Sequence, residues 1–187
     1  CLIRWPKVIK PGSVSRGLLQ NTDFVPTWFE LAKAKIPKGY HIDGKSLAPM
    51  FKDPAVSIRK YIYGEQGAAR AIKTEAFEYI SIRYTDEQIS EAQSKRADRA
   101  YKTLLGLSSG ISRARYFHPD IFSADQLYDL SEDPNSQKNV ADDSSYAGQL
   151  KKMKAILTRT VKELGPRPYG DFVPGKGTSG AEASQKV

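Results

Sequence analysis

The chain has 187 residues, of which 40% are apolar and 27% charged, and it carries a formal net charge of +8. This is ordinary globular composition with enough length for a real core; it excludes collagen-like and disordered chains, and a single cysteine excludes an internal disulfide or a cysteine-rich metal site. The basic balance favours anionic partners such as sulfated or phosphorylated glycans, or else a lysine-rich solvated surface. The cations are spread along the chain and no helix-turn-helix, zinc-finger or RNA-recognition pattern occurs, so nucleic acid is not an expected partner. No stretch is apolar enough for long enough to span a bilayer.

Cys1-Leu2-Ile3-Arg4-Trp5 opens the chain without an initiator Met or a signal-peptide pattern. The apolar run predicts a buried strand end, with Cys1 as a small buried hydrophobe, cut from a longer protein. Pro6 to Gly12 forms a turn region. Asn21-Thr22-Asp23 supplies capping candidates for a helix that places Phe24, Trp28, Leu31 and Ala32 on one face and ends near Lys35, before Pro37. A loop with Tyr40 and His41 follows, then the Asp43-Gly44 turn and a short helix over Ser46 to Phe51 with Ser46 as cap.

Strands are predicted at Tyr61 to Tyr63, Ala69 to Lys73 and Phe77 to Tyr84, with a tight turn near Thr74-Glu75. The third of these carries apolar groups on both faces, as a central covered strand does. Thr85 to Gln88 reads as a capping box opening an amphipathic helix that stops at Gly106. An irregular stretch with Tyr116 and His118 leads to a last strand, Gln126 to Leu130, and an acidic turn. Ser145 to Leu164 is the clearest helix, with Tyr146, Leu150, Met153, Leu157, Val161 and Leu164 in one stripe and Gly165-Pro166 as its stop. After Val173 no periodicity remains and a disordered tail is expected.

The fold class is therefore α+β: a small antiparallel sheet with a long C-terminal helix. Residues 1–55 read as the edge of a larger body, 56–165 as a subdomain of sheet and helices, and 166–187 as a tail.

Three motif groups then carry a family resemblance. Ile3-Arg4-Trp5-Pro6 runs into Ile9-Lys10-Pro11-Gly12. Thr22-Asp23 with Pro26-Thr27 is followed by Leu31-Ala32 and by Asp43-Gly44-Lys45-Ser46-Leu47. Arg70-Ala71-Ile72-Lys73-Thr74 precedes Tyr79-Ile80, and Leu127-Tyr128-Asp129-Leu130 precedes Asp133-Pro134 and Asn139. In this order and spacing, over about residues 1–165, they resemble the carboxyl-terminal portion of formylglycine-dependent sulfatases. Lys7 and Glu78 depart from the family's usual Gly and Lys.

The resemblance implies the C-terminal part of an α/β alkaline phosphatase-like sulfatase fold. It also implies a parent enzyme with Ca²⁺ and formylglycine that cleaves sulfate esters of a sugar or aryl substrate and is periplasmic or secreted. The family's catalytic and calcium motifs are not in this sequence, so no catalytic residue, metal ligand or cofactor is expected in it. The expected partners are the N-terminal catalytic segment of the same enzyme and an anionic sulfated substrate. Four residues are candidates for substrate contact: Tyr40 and His41 in one loop, Arg70 beside a Gly-rich turn, and His118 in another loop. Arginine and histidine suit anionic oxygens because they donate hydrogen bonds to them. Alternatives are a fragment of a related phosphoester or phosphonate hydrolase, and a non-catalytic polyanion-binding module.

Overall fold

A computed structural model describes residues 1–40, 42–66, 69–83, 120 and 123–164. The chain divides into two compact units, Cys1–Ile62 and Tyr63–Val187. The predicted capping box and helix from Thr85, the loop histidines His41 and His118, and the tail lie outside the described residues.

In the first unit, a 3-10 turn at Asn21–Asp23 runs directly into helix α1, Phe24–Leu31. The helix stops four residues before the expected Lys35. Lys33 adopts a positive φ of 52°. The Ala34 amide then donates to the Phe29 carbonyl at 2.9 Å, and the Lys33 amide to Glu30 at 3.1 Å. This pair of bonds is the Schellman ending, here with a lysine in the left-handed position that usually takes glycine. Helix α2 spans Ala48–Lys52, and the Ser46 hydroxyl accepts from the Ala48 amide at 3.2 Å, close to its expected capping role.

Two expectations fail in this unit. Residues 1–5 are not a strand, and Cys1 is exposed rather than buried. A strand exists through its hydrogen-bonded neighbour, and none pairs with this segment among the described residues. The buried side of α1 is also not its apolar stripe: Thr27 is 1% exposed, whereas Trp28 is 62% exposed and Leu31 41%.

The second unit follows the sequence closely. Strands β1 (Ile62–Gln66), β2 (Ala69–Lys73), β3 (Phe77–Ile82) and β4 (Asp125–Asp129) form one four-stranded sheet in the order β1-β2-β3-β4. The β2–β3 and β3–β4 pairs are antiparallel, with Ile72 opposite Tyr79 and Tyr79 opposite Leu127. Thr74 closes the β2–β3 hairpin, its amide donating to Phe77 and its hydroxyl accepting from the Phe77 amide. Strand β3 is central as expected. Helix α3, Ala147–Leu164, follows a 3-10 turn whose cap Asp143 accepts from the Ser145 amide at 2.8 Å. Helix α3 lies against β2 and β3. Met153 and Leu157 on α3 are fully buried, as are Ile72, Tyr79 and Leu127 in the sheet. No described helix is long and apolar enough to cross a membrane.

Candidate functional site

The motif residues do structural work. Asp23 is completely buried. Its carboxylate accepts from the Gln20 amide at 2.7 Å, from the Lys45 amide at 2.8 Å, and from the Arg59 guanidinium. Thr27 donates to the Asp23 carbonyl at 2.6 Å and accepts from the Leu47 amide at 2.8 Å. The Thr-Asp…Pro-Thr and Asp-Gly-Lys-Ser-Leu motifs are thus two halves of one clamp. Gly44 is required there, because a Cβ would collide with the Thr22 carbonyl.

The closing motif is built the same way. The Asn139 side-chain carbonyl accepts from the Leu127 amide at 2.9 Å and the Ala141 amide at 3.0 Å, while Val140 donates to the Leu127 carbonyl at 2.8 Å. Asp129 accepts from the Ser131 amide and hydroxyl. Asp133 accepts from the amides of Gln137 and Lys138. Each carboxylate or amide satisfies backbone donors at the exit from β4.

Of the four candidate substrate residues, Tyr40 and Arg70 are described. Tyr40 is 59% exposed. It ends a turn in which its amide donates to the Pro37 carbonyl at 3.1 Å and Gly39 takes a φ of 84°. Arg70 is buried on β2, opposite Ser81. Its Nε lies 3.4 Å from Glu65 Oε2, and its Nη1 donates to the Ala69 carbonyl at 2.8 Å. Glu65 also accepts from the Tyr63 hydroxyl at 2.6 Å. The guanidinium is therefore fixed in the sheet by an acid on the neighbouring strand. Tyr40 and Arg70 belong to different units.

Sequence reasoning missed a half-buried polar cluster between the sheet and α3. Asp125 on β4 accepts from Tyr79 at 2.6 Å, Arg83 at 2.8 Å and Lys154 of α3 at 2.6 Å. Burial alone would raise the Asp125 pKa, but the bonds from Arg83, Lys154 and Tyr79 outweigh it and hold the carboxyl at about 2. Burial first, and the Asp125 bond second, push the Tyr79 hydroxyl well above its usual range, so it stays a donor. One signal was available: a tyrosine on the core face of a central strand needs a partner for its hydroxyl.

A folded pKa below the unfolded one gives stabilisation that is complete above about pH 4 and is lost as pH falls toward the folded value. Asp125→Asn should therefore flatten the acid limb of stability between about pH 4 and 2, measured as unfolding midpoint against pH. An unchanged acid limb would show that Asp125 does not carry this dependence.

The described residues do not fit the calcium or the formylglycine of the resembling family. No group of three or more His, Cys, Asp or Glu side chains among them could hold a metal ion. Cys1 is followed by Leu2-Ile3-Arg4, which is not the oxidised-cysteine motif.

Comparison with known proteins gives the class. A solved structure of BT4656 in complex with its substrate D-glucosamine-2-N,6-O-disulfate matches with a TM-score of 0.59 and 25% identity, over 87% of this chain and 28% of that one. An ulvan-active sulfatase of Formosa agariphila is 31% identical over 176 residues, 86% of this chain and 31% of that protein. An N-acetylglucosamine-6-O-sulfatase of Bacteroides thetaiotaomicron is 26% identical over 162 residues, 87% of this chain and 24% of that protein. The small antiparallel sheet and its terminal helix are thus the carboxyl-terminal architecture of the sulfatase class. Within that class, the chain belongs to the family described as N-sulphoglucosamine sulphohydrolase, C-terminal, which matches residues 1–98. The chain spans about a third or less of the curated relatives it matches, 31% and 24% of their lengths.

Proposed function

We propose that this chain is the carboxyl-terminal part of a sulfatase that hydrolyses sulfate esters of a sulfated glycan, and that it is inactive alone. The family match carries this reading. Two relatives are named for sulfated sugars or polysaccharides, and BT4656 for a disulfated glucosamine substrate. The parent's catalytic body would supply the formylglycine nucleophile and Ca²⁺, and with them attack at sulfur and neutralisation of the sulfate oxygens.

The partner of this chain is that catalytic body. Leu2, Val14 and Trp28 are 102%, 74% and 62% exposed, and among the described residues the strongly exposed large apolar side chains lie in the first unit. Bare side chains such as Leu2, Val14 and Trp28 mark a surface that another body covers. The relatives' additional length is the occupant that fits it. Tyr40, His41, Arg70 and His118 are each a proposed contact to substrate in this reading. The support is Tyr40's exposure, the anion-binding chemistry of Arg and His, and a guanidinium already oriented by Glu65.

The test is sulfate release. The parent polypeptide, produced in a host that converts the motif cysteine to formylglycine, should desulfate a sulfated polysaccharide or its oligosaccharides. The isolated chain should release no sulfate above buffer from these or from an aryl sulfate. Turnover by the isolated chain, or a parent that cleaves phosphate esters and no sulfate ester, overturns the proposal.

A further inference from the structure

The cations are spread along the chain but the acids are not, so the net charge falls in the first unit. Cys1–Ile62 holds eleven Lys and Arg against four Asp and Glu, a balance of +7 out of the whole chain's +8. Within that unit one segment stands apart. Leu31 to Tyr40 is a run of ten residues, every one exposed. It contains Lys33, Lys35 and Lys38 and no acid, and it ends on Tyr40. An ordinary solvated surface intersperses both signs, which lowers its field. Here ten consecutive exposed residues carry cations only, with the nearest exposed acids in sequence, Glu30 and Asp43, outside the run.

The segment is also held at both ends. Its start is fixed by the Schellman bonds of Lys33 and Ala34 to the end of α1. Beyond its end, Lys45 is pinned through its amide to buried Asp23, and Gly44 packs against Thr22. Binding therefore costs less ordering of backbone than a free loop would require. Three ammonium groups offer charge-assisted hydrogen bonds to anionic oxygens. Tyr40 adds a flat apolar face with a hydroxyl at its tip, which suits a sugar ring.

We propose that Lys33, Lys35, Lys38 and Tyr40 form a capture strip for a sulfated polysaccharide, gripping sulfate groups along the polymer. The strip deepens the sulfated-glycan reading and rests on it for the identity of the ligand. It does not require that any sulfate be cleaved there. Its consequence is a preference for polymer over a monosaccharide sulfate, because several sulfates must be engaged at once.

The test uses the 187-residue chain and a size-defined heparin oligosaccharide as probe, with its desulfated form as control. Two variants of equal charge are compared: Lys33→Gln/Lys35→Gln/Lys38→Gln, and Lys10→Gln/Lys52→Gln/Lys60→Gln, whose three lysines are exposed elsewhere in the same unit. The first should lose roughly tenfold in affinity at low ionic strength, and its slope of log affinity against log salt should fall by about 2. The second should stay within about twofold of the parent chain. Tyr40→Ala should weaken binding with no change in the salt slope. Equal losses for both triple variants would mean that net charge alone binds the probe, and the strip would be abandoned. So would equal affinity for the desulfated control. Circular dichroism melting of each variant separates loss of binding from loss of fold. Binding is read without any turnover, so a parent that releases no sulfate refutes the proposed activity while leaving this result to stand or fall separately.

Discussion

Replacing Leu157 by Ala should destabilise the second unit by about 2–5 kcal/mol, the cost of deleting a fully buried leucine side chain and leaving a cavity. Leu157 is 0% exposed, on the face of α3 that also buries Met153 against the Ile72–Tyr79–Leu127 row of the sheet. Lys152 lies on the exposed side of the same helix, and Lys152→Ala should shift stability by no more than about 0.5 kcal/mol. Matched unfolding curves followed by far-ultraviolet circular dichroism decide the matter. Equal shifts for the two variants would mean that α3 does not dock through Leu157.

Asp23→Ala should cost the first unit about 3–5 kcal/mol, because it strands the Arg59 guanidinium in a largely buried position. The Arg59 side chain is 10% exposed and Asp23 is fully buried, so solvent offers little compensation. The amides of Gln20 and Lys45 lose their acceptor at the same time. The control is Asp43→Ala, an exposed carboxylate in the adjoining turn. Both tryptophans, Trp5 and Trp28, belong to the first unit, so tryptophan fluorescence reports its unfolding selectively. If Asp23→Ala melts at the same point as Asp43→Ala, the clamp between the two motif halves does not hold the unit together.

The legible parts of this chain were those set by neighbours in sequence. Strands β2 to β4, the Thr74 hairpin and α3 were each foreshadowed by local periodicity and turn chemistry; the bounds of β2 are as expected and those of β3, β4 and α3 moved by one or two residues. The illegible parts depend on distant partners. Asp23 read as a helix starter, but its ion-pair partner Arg59 is 36 residues away. Asp125 stood just outside the expected strand Gln126 to Leu130, but it gathers Tyr79, Arg83 and Lys154 from three other positions.

Helix α1 failed for a different reason. Its amphipathic pattern describes a real apolar face, but among the described residues that face stays open at Trp28 and Leu31, while Thr27 is what turns inward. Periodicity identifies a face that seeks cover; it does not say that this stretch of polypeptide supplies the cover. The candidate site was legible only as residue chemistry. Tyr40's exposure could be anticipated from its loop, whereas Arg70's burial against Glu65 required the pairing of two strands.

The clamp at Asn139 has a bearing on how this sheet behaves in a crowded cell. Among the described residues β4 is a terminal strand of the sheet, the position where an open row of amides and carbonyls invites templated fibre growth. At its midpoint both backbone groups of Leu127 are already taken, the amide by the Asn139 side chain and the carbonyl by Val140. A foreign strand would have to displace both bonds to seat itself in register. The opposite margin, β1, is protected by composition instead: Gly64, Glu65 and Gln66 are exposed there, a short polar stretch with little β preference. The sheet is thus defended at one border by occupancy and at the other by an unattractive surface. Self-templating through this sheet is discouraged even while the first unit's apolar side chains stand bare.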